Sequence, residues 1–178
     1  VEAADPKPLE ALRALGIEEG NYILWLGRFV PEKRVEDLIA AFKRWESDRR
    51  LLLCGELDAR DPYVRRLREE AGDDARILFP GGLYGEAKRE ALTHAAALVQ
   101  PSELEGFPIA LLEGMRYGLP VIASAIPAHL EAATPDETAR TFQVGDVAGL
   151  AEQLRWLEAH PAEAAATGAR AAVASEAY

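Results

Sequence analysis

The feature that constrains the fold most is a regular alternation of short apolar runs with amphipathic helical stretches along the chain. This alternation is typical of βα units, in which helices connect parallel strands and cover the sheet. Five runs are predicted as strands: Tyr22–Leu26, Leu51–Cys54, Arg76–Phe79, Ala97–Gln100 and Pro120–Ala123. The sequence therefore predicts an α/β fold with a single doubly wound, Rossmann-like parallel sheet and helices on both faces.

Helix boundaries follow from capping residues and from the spacing of apolar positions. Asp61 is a good N-cap and Pro62 suits the first helical position, so a helix is predicted to begin there and to end at Gly72. The Ala-rich tail is helix-prone but has a weak apolar face, so we expect it to pack on a neighbour. Including this tail, the other predicted helices cover 35–45, 86–96, 108–117, 146–160 and 162–178.

Composition limits the classes of protein to which the chain can belong. Its 178 residues contain no internal repeat or long linker, so one domain is predicted over 1–178. A formal net charge of −10 argues against nucleic acid as a partner, because phosphate backbones require clustered cations. No apolar run is long enough for a transmembrane helix, and the single cysteine, Cys54, fits a reducing compartment. We therefore expect a soluble, cytoplasmic protein without a structural metal.

The residues best suited to chemistry fall in loops at the carboxyl ends of the predicted strands, where open parallel sheets bind ligands. The loop after the fourth strand brings Glu105, then Gly106, then a helix N-terminus whose N–H groups and dipole favour an anion. Glu113 lies one turn beyond Ile109 on the same helix face, so Glu105 and Glu113 form a Glu-x7-Glu pair. Across the crevice, Arg28 and Lys33 supply two cations that can neutralise a diphosphate.

These residues resemble the donor-binding, C-terminal half of the family-4 retaining glycosyltransferases, which have the GT-B fold. The resemblance covers roughly 21–160 and rests on three segments: 27–33 (Gly-Arg-Phe-Val-Pro-Glu-Lys), 101–115 with its Glu-Gly-Phe-Pro and Leu-Glu-Gly-Met, and 118–124 (Gly-Leu-Pro-Val-Ile-Ala-Ser). It implies that the chain binds a nucleoside-diphosphate sugar for a retaining transfer of hexosyl type. The implied donor-binding residues are Gly27, Arg28, Lys33, Glu105, Gly106, Phe107, Pro108, Ile109 and Glu113.

In that family the basic pair contacts the diphosphate, the first Glu faces the sugar and the second holds the ribose. By position the basic pair is Arg28 and Lys33, the first Glu is Glu105 and the second is Glu113. We expect Arg28, Lys33 and Glu105 to be catalytic. No cofactor or metal is expected, since these cations would stabilise the leaving diphosphate and the chain lacks an Asp-x-Asp. We expect UDP as the nucleotide before GDP.

The resemblance also implies a partner domain that this chain lacks, and the opening Val1 in place of Met leads us to expect a piece of a longer protein. The acceptor-binding N-terminal domain of the family is absent, so the chain alone should bind donor but transfer little. The acceptor, whether glycan, lipid or small molecule, stays open, as does peripheral membrane association through the missing domain. One departure is 125–129, Ala-Ile-Pro-Ala-His, where the family often has Gly-Gly-x-Pro-Glu.

Three rival functions are weighed against this interpretation. A dinucleotide-binding oxidoreductase lacks its Gly-x-Gly-x-x-Gly here, and a P-loop NTPase lacks its Gly-x-x-x-x-Gly-Lys-Ser/Thr. A non-catalytic nucleotide-sugar-binding or sensor module is the alternative that the sequence leaves open.

Several other polar residues are assigned less specific parts. Glu103 is predicted to be an exposed loop acid, and His94 and His160 to be structural. His129 is left open between a structural and a crevice position, and no chemistry is assigned to Cys54. Glu56 and the pair Gly81-Gly82 either line the pocket for the base or serve a turn.

Overall fold

The computed structural model describes residues 4–178, so residues 1–3 of the predicted domain lie outside it. Within that range the strands are β1 (Tyr22–Leu26), β2 (Arg50–Cys54), β3 (Ile77–Leu78), β4 (Ala97–Gln100), β5 (Val121–Ser124) and β6 (Arg140–Phe142). They form one parallel sheet in the order β3-β2-β1-β4-β5-β6. The direction of winding reverses between β1 and β4, which makes this the topological switch point of the sheet.

Seven α-helices connect or follow these strands in the described range. They are α1 (Val35–Lys43), α2 (Pro62–Ala71), α3 (Gly85–His94), α4 (Ile109–Arg116), α5 (Pro127–Ala132), α6 (Val147–Ala159) and α7 (Pro161–Ala174). The predicted caps are present, because the Asp61 side chain accepts from the N–H of Tyr63 and that of Asp146 from the N–H of Gly149. The predicted α/β fold with a single doubly wound parallel sheet is confirmed.

The sheet separates two apolar layers, and the alternating side chains of β1 contribute to both. Ile23 and Trp25 lie in the core formed with α1, α2 and α6. Tyr22, Leu24 and Leu26 lie in the core on the α3 side. All five side chains are buried, so β1 has no solvent-facing side, as expected of a central parallel strand.

Among the strands and α-helices, two were not predicted from the sequence, β6 and α5. The strand β6 is three residues long and pairs only with β5 at the edge of the sheet, so its apolar signal is weak. The helix α5 has six residues and begins at Pro127, directly after a strand, in a stretch interpreted as a loop. Both are too short for hydrophobic periodicity to identify them.

The tail forms α7 and packs on α4 of the same chain. The contact is close, because a Cβ at Gly168 would lie 2.1 Å from the carbonyl oxygen of Gly118. The Arg116 guanidinium also donates to the Ser175 carbonyl at 3.0 Å, which attaches the end of the tail to the end of α4. On its other side α4 approaches β4 equally closely, since a Cβ at Gly114 would lie 2.6 Å from Leu98 Cδ2. Glycine inside α4 is therefore required by packing.

Candidate functional site

A cavity of about 430 Å³ opens at the carboxyl ends of β1 and β4, the switch point of the sheet. Its lining combines residues from the end of β1 and the segment that follows it with residues from α3, α4 and the loop after β4. The residues are Leu26, Gly27, Arg28, Lys33, Lys88, Glu105, Gly106, Phe107, Ile109, Ala110 and Glu113. All the predicted site residues except Pro108 therefore meet around one hollow. Pro108 is buried and occupies the N-cap position of α4.

The first acid–base pair of the hollow joins Glu105 to Lys33. Lys33 ends a short 3-10 turn, Pro31–Lys33, and its Nζ lies 2.5 Å from Glu105 Oε1. The same carboxylate oxygen accepts a hydrogen bond of 2.8 Å from Ser102 Oγ. Only 9% of the Glu105 side chain is exposed, so the lysine and the serine fix a carboxylate that has lost most of its water.

A main-chain hydrogen bond holds the same two loops together. The Glu103 N–H donates to the Glu32 carbonyl at 2.9 Å, which connects the loop after β4 to the turn after β1. The Glu103 side chain is exposed, as predicted, and forms an ion pair of 3.1 Å with Arg34. Arg34 also binds Asp37 at 2.6 Å, and these hydrogen bonds raise the pKa of its guanidinium.

The second acid–base pair joins Glu113 of α4 to Lys88 of α3, with 2.6 Å between Oε1 and Nζ. Lys88 was not identified from the sequence. One signal could have found it: Lys88 lies close to the N-terminus of its helix, where the helix dipole disfavours a cation. A lysine there needs a local anion, and Glu113 provides it.

Arg28 differs from the two lysines because its side chain binds no protein group among the described residues. Its side chain is exposed and makes no hydrogen bond or ion pair with any other residue in 4–178. The backbone beneath it is tightly placed, since a Cβ at Gly55 would lie 2.1 Å from the Gly27 carbonyl oxygen. Within residues 4–178, Arg28 is thus an unpaired cation that lines the hollow from a closely packed main chain.

His129, the residue left open by the sequence, lies in the interior beside this loop system. Its ring is 1% exposed, and Nδ1 lies 2.9 Å from the Ser124 carbonyl. The Ser124 hydroxyl donates to the Ser102 carbonyl, and Ser102 in turn binds Glu105. Burial lowers the pKa of His129 below its ordinary value. His129 therefore supports the loop of Glu105 from behind and does not line the cavity.

The remaining candidates are not among the residues that line the hollow. The Tyr84 hydroxyl donates to the Glu56 carboxylate, and a Cβ at Gly82 would lie 2.8 Å from both side chains, so Gly82 leaves room for this contact. Cys54 is buried, and burial raises its pKa to about 12. His94 contacts the Lys7 carbonyl at 2.7 Å.

Within residues 4–178 there is no cluster of three or more His, Cys, Asp or Glu side chains arranged for a metal ion. No helix in this range combines the length and the apolar character needed to cross a bilayer. A second hollow, of about 500 Å³, lies at the C-terminal ends of α1 and α6 and is lined by Trp45 and Glu158. These two residues bind each other at 2.8 Å, and the strands' carboxyl ends lie at the opposite edge of the sheet.

The chemistry available to the main hollow follows from its charges. Three cations and two carboxylates line it, and the N-terminus of α4 opens onto it at Ile109. Cations and a helix N-terminus bind phosphate oxygens, whereas carboxylates accept hydrogen bonds from hydroxyl groups. The arrangement therefore suits a ligand that carries both phosphate and hydroxyl groups.

Comparisons with known proteins identify the family of the chain and similar solved structures. The family described as "Glycosyl transferases group 1" matches residues 10–173. Glycogen synthase of Mycobacterium tuberculosis is 34% identical over 157 residues, which are 84% of this chain and 36% of that protein. The solved structure of sucrose-phosphate synthase from Thermosynechococcus elongatus superposes with a TM-score of 0.82 at 29% identity, over 94% of this chain and 43% of that one. HepE of Anabaena, solved in complex with UDP-glucose, has a TM-score of 0.84 at 21% identity and matches 93% of this chain and 46% of its own.

The chain spans about a third of the length of the curated relatives that it matches and less than half of the solved structures. The residues matched by the family, 10–173, include all six strands described above.

Proposed function

The chain belongs to the group 1 glycosyl transferases, and on that premise we propose that it is the C-terminal, donor-binding half of a retaining, metal-independent enzyme of family 4. The enzyme moves a hexosyl group from a nucleoside-diphosphate sugar to an acceptor. UDP is the preferred nucleotide and GDP the second choice. The observation that carries the proposal is the convergence of Arg28, Lys33, Glu105 and Glu113 on one cavity.

The proposed position of the donor follows from the charges of the lining. The diphosphate lies between Arg28, Lys33 and the N-terminus of α4, where positive potential is concentrated. Glu113 accepts hydrogen bonds from the ribose hydroxyls, and Glu105 accepts them from the sugar. The UDP-glucose complex of HepE, a protein of the same fold, supports a nucleotide sugar as the ligand class.

The proposed chemistry uses the same groups. When the bond between the anomeric carbon and the diphosphate oxygen breaks, the electron pair stays with the oxygen and the diphosphate gains negative charge. Arg28 is exposed and carries no internal partner within 4–178, so it can turn to this charge without first breaking an ion pair. Cations beside a developing anion lower the barrier, and here they replace the charge that a divalent ion supplies in other transferases.

The proposal extends to a longer protein. The acceptor site belongs to an N-terminal domain outside this chain, so the 178-residue chain alone binds donor but turns over little. The acceptor is a glycan, a lipid or a small molecule, and any peripheral membrane contact is made through that other domain. We place the protein in the cytoplasm, where nucleotide sugars are the substrates of such enzymes.

Calorimetry of the 178-residue chain with UDP, GDP, ADP and NAD tests the donor assignment. We expect UDP to bind best, and both Arg28→Ala and Glu113→Ala to weaken it by about ten-fold, the value of one charge-assisted interaction. Arg60→Ala serves as the matched control, because Arg60 is exposed and pairs only with its near neighbour Asp58 within 4–178. Preference for NAD, or equal affinity in the two site variants and wild type, refutes the proposal.

Transfer is tested in the full-length enzyme. Glu105→Ala should lower kcat far more than it weakens UDP affinity, since a contact to the transferred sugar acts mainly in the transition state. The rate should also persist in EDTA. An equal loss of kcat and UDP affinity would show that Glu105 only anchors the donor. Binding without transfer in the full-length wild type would identify a sensor module instead of an enzyme.

A further inference from the structure

We propose that Lys88 is a third cation of the donor site and forms, together with Glu113, a single ribose-binding unit. This inference rests on the proposed function and deepens it, since it adds a recognition residue for the nucleoside. Lys88 belongs to α3 and Glu113 to α4, so their ion pair of 2.6 Å joins two separate helices that both line the cavity.

The charge of the cavity gives the first argument. Without Lys88 the lining would hold two cations, Arg28 and Lys33, against two carboxylates, Glu105 and Glu113. Lys33 is already bound to Glu105, so a diphosphate would enter a site with no excess positive charge. Lys88 compensates Glu113 and leaves the positive charge of Arg28 uncompensated. The negative ligand therefore meets a lining with a net positive charge.

The hydrogen-bonding capacity of a ribose gives the second argument. Each ribose hydroxyl is both a donor and an acceptor, whereas a carboxylate only accepts and an ammonium only donates. The Lys88 ammonium has three N–H donors and binds only Glu113 within 4–178, so two donors remain for a ligand. A hydroxyl placed between the two side chains can donate to Glu113 and accept from Lys88. The pair thus satisfies both functions of the group.

The position of Lys88 in its helix gives the third argument. A cation near a helix N-terminus is opposed by the helix dipole, so the dipole of α3 does not favour a lysine at position 88. About a third of its side chain is exposed, and this exposed part faces the cavity. A partly hydrated ammonium of this kind can exchange water for a ligand hydroxyl without being displaced from Glu113.

The experiment measures UDP, uridine and 2′-deoxy-UDP affinities of the 178-residue chain by calorimetry, with ligand-observed NMR for weak binding. Lys88→Met removes the charge and keeps the length of the side chain, and Lys88→Arg keeps the charge. Lys7→Met is the matched control, because the ammonium of Lys7 pairs with Asp5 at 3.1 Å and does not line the cavity. Thermal melting of each variant reports whether folding is intact.

We expect Lys88→Met to weaken UDP and uridine by a similar factor of about ten and to reduce the preference for UDP over 2′-deoxy-UDP. Lys88→Arg should stay within about three-fold of wild type, since it retains a donor and the charge. Lys7→Met should bind UDP as wild type does.

Four outcomes overturn the assignment. In Lys88→Met, these are a UDP affinity within two-fold of wild type, UDP binding that is tighter than in wild type, and a loss of affinity for UDP without a loss for uridine. The fourth is a loss of UDP affinity in Lys88→Arg that equals the loss in Lys88→Met. The Arg28→Ala variant separates the two proposals. If it weakens UDP while Lys88→Met does not, only the role of Lys88 fails. If wild type does not bind UDP, or Arg28→Ala has no effect, the proposed function fails and this inference with it.

Discussion

Replacing Gly168 by alanine tests the contact between α7 and α4. A Cβ at this position would lie 2.1 Å from the Gly118 carbonyl oxygen, 2.9 Å from Leu119 C and 3.0 Å from Gly118 C. Ordinary contact begins near 3.4 Å, and all three neighbouring atoms belong to the main chain, so no side chain can rotate away. The helix itself must move outward, away from the end of α4 that it covers.

The expected loss of unfolding free energy in Gly168→Ala combines two opposing contributions. Overpacking a well-packed site costs about 1–3 kcal/mol, and the close backbone contact places Gly168→Ala at the upper end. Alanine regains about 1 kcal/mol over glycine inside a helix. The net loss is about 2 kcal/mol of unfolding free energy, which lowers the melting temperature of a domain of this size by about 4–8 °C.

Thermal melting followed by circular dichroism measures this difference. Ala165→Gly is the matched control, since Ala165 is exposed on the same helix and its replacement reports the helix-propensity term alone, a loss of about 1 kcal/mol. A Gly168→Ala protein that melts at or above the wild-type temperature would refute the packing argument, because only helix propensity would then remain.

Three further predictions concern buried polar groups. Glu90 is 4% exposed and accepts N–H bonds of 2.9, 3.0 and 2.6 Å from Glu10, Ala11 and Leu12. Glu90→Ala should therefore lower the free energy of unfolding, measured in urea, by about 3 kcal/mol. A loss below about 1 kcal/mol would contradict this reasoning. Burial raises the pKa of Cys54 to about 12, so we expect no reaction with a thiol reagent at pH 8 until the chain unfolds. We also expect the free energy of unfolding to decrease as pH rises above about 9, because there only the thiol of the unfolded chain ionises. The lowered pKa of His129 predicts a change of stability with pH in the opposite direction. As pH falls below about 6.5 the unfolded chain takes up a proton on this residue before the folded chain does, so the free energy of unfolding decreases. His129→Gln should remove this contribution to the difference in unfolding free energy between pH 7.5 and pH 5.5.

The sequence predicted the fold well where periodicity and caps agree. β1, β4 and the cap at Asp61 have the predicted bounds because a buried strand is a continuous apolar run and a Pro after Asp leaves few alternatives. It failed for β6, whose Arg140-Thr-Phe sequence carries one apolar side chain in the core and depends on β5 for its pairing. Such a strand is specified by its neighbour and not by its own composition.

The same division holds for the site. The Glu-x7-Glu pair and the two cations after β1 could be predicted, because a loop and the helix that follows it are local in sequence. Lys88 lies 25 residues from Glu113, and their pair depends on how α3 and α4 pack side by side. The role of His129 could not be predicted either, because its connection to Glu105 passes through Ser124 at the end of β5 and Ser102 in the loop after β4. The structure gives the residues that line the hollow. Their roles in binding stay predictions.

The bond between the Glu103 N–H and the Glu32 carbonyl has a consequence for how such a domain can diversify. Because it joins two main chains, almost any side-chain replacement leaves it in place, and only proline at position 103 would remove its donor. The spacing between the turn after β1 and the loop after β4 is therefore held independently of the side chains that line the hollow. Substitutions around the hollow can change the ligand that is accepted while the spacing of the contacts stays constant.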